Sequence, residues 1–100
     1  MIKVNIKKDL KRITVKGHAM YDEYGKDIVC AAVSSIITTS INACLSLDET
    51  AIKYEDNEGL VIIDVLSESE TTIKLIENMI NMLSELATQY KKNITIIKED

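Results

Sequence analysis

Residues 2–16, Ile2-Lys-Val-Asn-Ile-Lys-Lys-Asp-Leu-Lys-Arg-Ile-Thr-Val-Lys16, decide the architecture. Ile2, Val4 and Ile6 alternate with polar residues, and Ile13 and Val15 do the same beyond the polar stretch from Lys7 to Arg12. Period two on both sides of a short polar connection predicts a β-hairpin with one face given to a core. Gly17 ends the second strand. His18 to Lys26 has no clean period and lies between Gly17 and Gly25, which predicts a loop with flexible ends. Asp27 then precedes an apolar run from Ile28 to about Leu45, and its carboxylate suits an N-cap because it can accept first-turn amide hydrogens. Val29, Val33, Ile36, Ile37, Ile41 and Cys44 fall at three- and four-residue steps, with Ser34, Thr38 and Asn42 on the other side, so a mostly buried helix is expected.

A second unit of the same kind follows. Ala51, Ile52 and Tyr54 begin a strand, Asp56-Asn57-Glu58-Gly59 makes a turn, and Leu60 to Leu66 resumes with strand-forming residues as a second hairpin. Continuous Val/Ile content from 60 to 66 predicts a central strand buried on both faces. Ser67 and Glu70, or Ser69, cap a second helix, in which Ile73, Ile76, Ile80, Leu83, Ala87 and Tyr90 form a stripe widened by Leu75, Met79, Met82 and Leu86. Lys91, Lys92 and Asn93 close it, the lysines suiting the negative end of the helix dipole. Ile94 to Ile97 forms a short last strand. The order β-β-α-β-β-α-β implies an α+β fold, a mixed sheet with two long helices packed on it, in one domain over residues 1–100.

Composition fits that reading. Of 100 residues, 46% are hydrophobic and 28% charged, with three glycines and no proline, which excludes collagen-like, low-complexity and disordered classes. No uninterrupted apolar run approaches the roughly 18 residues of a membrane helix, and the alternating start has no secretory apolar region. A cytoplasmic protein without membrane association is the expectation. The net charge is −4, yet residues 1–16 carry six basic groups against Asp9, and the rest of the chain six basic against fifteen acidic. An acidic main body argues against a nucleic-acid partner and favours a basic protein or peptide. The basic start also has a plain explanation, lysines protecting the edge of a solvent-exposed hairpin.

Two cysteines sit in the first helix. Fourteen residues at about 1.5 Å each separate Cys30 from Cys44 by roughly 21 Å, too far for a disulfide or a shared metal, so a zinc site built from His18, Cys30 and Cys44 is not expected. Cys44 lies in the apolar stripe and reads as a small buried hydrophobe. Cys30 is the third residue of the helix, where amide hydrogens and the positive dipole end stabilise a thiolate. His18, the sole histidine, stands on the loop leading into that helix. A thiolate at a helix start with an imidazole to take its proton is the minimum for cysteine nucleophilic catalysis, although a buried cysteine and an unrelated histidine give the same pattern.

The string Gly17-His18-Ala19, eight intervening residues, then Asp27-Ile28-Val29-Cys30-Ala31-Ala32-Val33-Ser34, resembles the ribosomal-processing cysteine protease (Prp) family. The match runs residue by residue through both blocks, including the twelve-residue step from His18 to Cys30. Outside residues 17–34 the agreement is one of size and element order. The resemblance implies a small homodimeric bacterial endopeptidase that removes the N-terminal extension of large-subunit ribosomal protein twenty-seven, cutting after a short apolar and aromatic stretch; no cofactor is expected. It places the catalytic cysteine and histidine on Cys30 and His18.

In such a dyad the imidazole deprotonates the thiol and later protonates the leaving amine. Oxyanion donors could come from amides at the helix start, near Cys30 and Ala31, or from the approach of Gly17. Asp27 either orients His18 or only caps the helix. Ser34, one turn after Cys30 on the same side, either hydrogen-bonds near the thiol or is simply a small residue at a packing contact. Met20, Tyr21 and Tyr24 are candidates for contacting the apolar residues before the cut, or else pack on the core, and Gly25 with Gly17 would let the segment open and close as a lid. The competing reading is a non-catalytic, ribosome-associated binding module. A thiol-redox protein is disfavoured by the lack of Cys-x-x-Cys.

Overall fold

In a computed structural model of the chain, residues 1–17 and 28–99 are described. The elements are β1 (Ile2–Lys7), β2 (Arg12–Lys16), α1 (Ile28–Leu47), β3 (Ile52–Asn57), β4 (Leu60–Val65), α2 (Glu70–Gln89) and β5 (Ile94–Glu99), in the expected order. They build one five-stranded mixed sheet ordered β3-β4-β2-β1-β5. Both hairpins form, with Val4 opposite Val15 in the first and Tyr54 opposite Ile63 in the second. Among the described residues one parallel pair forms, joining β1 to β5, the strand that is reached through α2, as parallel pairing needs a crossover.

Both helices lie on one face. Ile2, Val4, Ile6, Ile13, Val15, Val61, Ile63 and Val65 are buried with Val29, Val33, Ile37, Ile41 and Cys44 of α1 and Ile76, Met79, Ile80 and Leu83 of α2 in a single cluster. Burying each such aliphatic side chain contributes about 1.5–3 kcal/mol before chain entropy is counted. Among the described residues no layer covers the other face of the sheet.

That asymmetry corrects three expectations. Strand β4 is interior but buried on one face only: Val61, Ile63 and Val65 point into the core, while Leu60, Ile62 and Asp64 remain half-exposed. Its run of Val and Ile therefore does not signal burial on both faces. Helix α1 is buried along a stripe rather than over most of its surface, and Ser35, Thr38, Thr39 and Asn42 face outward. By length and composition α1 is apolar enough to cross a membrane, but here its apolar stripe packs against the sheet. The basic hairpin β1–β2 occupies the interior of the sheet, because β4 and β5 add to its two sides, so its lysines protect no edge.

Helix ends differ in detail too. Ser69 is the N-cap of α2 by position but makes no capping hydrogen bond through its side chain; instead the Ser67 hydroxyl accepts the Ser69 amide hydrogen at 3.0 Å. Tyr90 is the C-cap, and no basic residue stands in the last turn, since Lys91 and Lys92 fall in the turn beyond it.

Candidate active site

Strand β2 ends at Lys16 and is followed by Gly17, and Ile28 opens the first turn of α1. Gly17 has φ +83°, and a Cβ built there would stand 2.6 Å from the Met1 carbonyl oxygen. Both the left-handed backbone and the close approach demand glycine. Its amide donates to the Gly59 carbonyl at 3.0 Å. That hydrogen bond occupies the Gly17 N–H, which removes it from the candidate oxyanion donors. Gly59 in turn has φ +94° and follows Glu58 at φ 43°, so a tight β3–β4 turn with two left-handed residues presents the carbonyl that Gly17 needs. Sequence reading missed this link. The signal was available in Asn57-Glu58-Gly59, but only strand order shows that the turn lies beside the end of β2.

Cys30 is the third residue of α1 and is half-buried against the core. First-turn amides point out of the helix start, and the dipole's positive end favours the thiolate there. Ala31 is exposed at the fourth position, where the regular helical ladder begins to use amides internally. Ser34 is half-buried four residues after Cys30, on the same side of the helix. Cys44 differs in kind: it is fully buried, and burial pushes its thiol above the ordinary value of 9.0. Desolvation disfavours the charged thiolate, so Cys44 is chemically quiet at neutral pH. Both cysteines are thiols rather than halves of a disulfide. His18, Met20, Tyr21, Tyr24, Gly25 and Asp27, and with them the lid reading and the choice between orienter and cap for Asp27, lie outside the described residues.

The profile of the family described as cysteine protease Prp matches residues 1–95. The chain belongs to the cysteine protease Prp family. The ribosomal processing cysteine protease Prp of Staphylococcus aureus is 33% identical over 98 residues, which cover 95% of this chain and 92% of the relative. A crystal structure of the essential S. aureus Prp with a covalently linked product peptide superimposes with a TM-score of 0.82 at 30% identity, covering 99% of this chain and 100% of that one. A second, of the S. aureus protease with a substrate peptide, gives a TM-score of 0.81 at 28% identity over the same coverage. The α+β fold expected from the element order is therefore the one these Prp structures share. The chain is a cysteine protease of the ribosomal-processing type, and the non-catalytic reading falls.

Proposed function

We propose that this Prp removes the N-terminal extension of large-subunit ribosomal protein twenty-seven, with Cys30 as nucleophile and His18 as its base. The observation that carries the assignment is the contrast between the two cysteines: Cys30 stands in the first turn of α1, whereas Cys44 is buried in the core stripe. Family membership and the peptide complexes of the S. aureus relatives support a peptide substrate. In the reaction the His18 imidazole takes the proton of Cys30 Sγ, and the thiolate attacks the scissile carbonyl carbon. Amides at the start of α1 stabilise the oxyanion. The tetrahedral species collapses as His18 returns its proton to the leaving amine, which departs and leaves a thioester. Water, deprotonated by His18, attacks the thioester, releasing the acid product and restoring the thiol.

Met20, Tyr21 and Tyr24 would contact the apolar residues before the cut, between the hinges Gly17 and Gly25. The acidic residues Asp22, Glu23 and Asp27 suit a basic ribosomal protein. A cytoplasmic homodimer is the assembly we infer. Incubation with a peptide copying the organism's own ribosomal-protein N-terminus, followed by mass spectrometry, tests the function. Two fragments from one internal cut are expected, and an intact peptide after prolonged incubation would overturn it.

A further inference from the structure

We propose that Lys3 and Lys16 form a carboxylate-binding subsite for an acidic residue of the peptide substrate, flanking the scissile bond; this rests on the protease reading above. The two lysines face each other directly across the β1–β2 ladder, both exposed, on the face of the sheet opposite the helices. Their row continues through Leu60 opposite Lys16 and Thr95 beside Lys3, neither of which brings a counter-charge. Like charges placed directly opposite destabilise a strand pair. At the far end of the same face the cations are neutralised: Lys7 pairs with Glu99 at 3.0 Å, Arg12 with Asp64 at 2.7 Å, and Lys53 approaches Glu55 at 3.8 Å. Among the described residues neither Lys3 nor Lys16 makes an ion pair.

Edge protection does not account for them, because β1 and β2 lie inside the sheet. A pair of ammonium groups without a counter-charge among the described residues, kept at a cost to the hairpin, fits an external anion that lies between them. Their position selects its source. Lys16 directly precedes Gly17, and two residues of chain reach at most about 7 Å to the proposed base. A peptide engaged there carries its flanking residues past the pair. The chain's net charge of −4 opposes long-range attraction of a polyanion, which favours a single carboxylate over a nucleic-acid backbone.

The experiment uses peptides built on the ribosomal-protein N-terminus that differ in one residue, Glu, Gln or Lys, placed about two to five positions from the scissile bond, within side-chain reach of the pair. At low ionic strength the wild-type protein is expected to favour Glu over Gln by about three- to ten-fold in kcat/KM, through KM, as two exposed ion pairs allow. High salt removes the preference. Lys3→Gln/Lys16→Gln should cleave the Glu and Gln peptides alike. Lys16→Glu should lose the preference while melting at a higher temperature, because it turns a repulsive cross-strand pair into an attractive one. Fluorescence anisotropy with Cys30→Ala reports the same preference in binding.

Equal treatment of Glu and Gln peptides by the wild-type protein overturns the inference and leaves the protease reading intact. If no peptide is cut, the protease reading fails, and anisotropy still decides the charge preference. Salt-dependent binding of single-stranded RNA that the double variant loses, without any Glu preference, overturns the inference in favour of a nucleic-acid surface.

Discussion

At the scale of single residues the two cysteines make the clearest contrast, since one helix offers a thiol at its dipole end and another inside the core. Cys30→Ala is expected to abolish cleavage with little loss of stability. Cys44→Ala should leave cleavage intact and cost about 1 kcal/mol or more, measured by urea unfolding, because it empties space in a packed stripe. Cleavage by Cys30→Ala would remove the assignment. His18→Ala should depress turnover by about 10²–10⁴-fold, the usual range for a general base, while peptide affinity persists. Near-wild-type turnover at neutral pH would show that another group takes the proton. The glycines give a third test. Gly17→Ala meets both an unfavourable φ and the Met1 carbonyl at 2.6 Å, whereas at Gly59 a Cβ enters open space and only the φ is unfavourable. Gly59→Ala should cost about 1–2 kcal/mol, and Gly17→Ala more than that, with a fall in activity because it displaces the chain entering His18. Equal losses of stability would show that the Met1 contact is easily relieved.

At the scale of elements, strand and helix identities were legible because periodicity records which face is buried: Ile2, Val4 and Ile6, or Ile76, Ile80 and Leu83, leave no other regular arrangement. Cap chemistry was not legible. Whether Ser67 or Ser69 serves the start of α2 depends on a local turn, and the Ser67 hydroxyl meets the Ser69 amide instead of a helical one. Nor did sequence show what joins β2 to β4, strands that come from different hairpins. Part of the answer is Arg12, which donates from Nε to Asp64 Oδ1 at 2.7 Å and from Nη2 to Oδ2 at 3.1 Å, a two-pronged pair across that junction. The Arg12 hydrogen bond, aided by its charge, holds the Asp64 carboxyl below its ordinary value of 3.8. A carboxylate lowered in the folded state stabilises above its unfolded pKa, and the contribution is lost as pH falls through the folded one. Asp64→Asn should therefore melt below wild type at neutral pH, and the gap should close in acid, below pH 3.8. A gap that stays constant down to pH 2 would mean that the carboxylate's charge contributes nothing across this junction.

At the scale of the whole molecule, element order alone could not rank the strands. The continuous Leu60–Val65 run suggested burial on both faces, whereas both helices stack on one side and, among the described residues, nothing covers the opposite face, where Leu60, Ile62 and Asp64 stay half-exposed. The candidate site was legible in one half only: Cys30 stands where helix reasoning puts it, while the Gly17–Gly59 lock needed the meeting of two hairpins. Assembly is the remaining step. Apolar residues of both helices exceed what one sheet face consumes: Ile36 and Leu75 are only half-buried and Met82 is 43% exposed, and they share a shallow cleft on the outer side of α1 and α2 with Ala43 and Asn78. A second copy laid against this cleft would bury those side chains, and the small Ala43 would let backbones approach closely. Sedimentation at micromolar concentration is expected to give about twice the 11.2 kDa chain mass, as a two-fold assembly requires. Met82→Glu should return the protein to 11.2 kDa without unfolding it, because the added charge is solvated in the monomer but unpaired in the contact. A wild-type protein sedimenting only as a single chain removes the dimer, and a dimer that survives Met82→Glu places the contact away from the helical cleft.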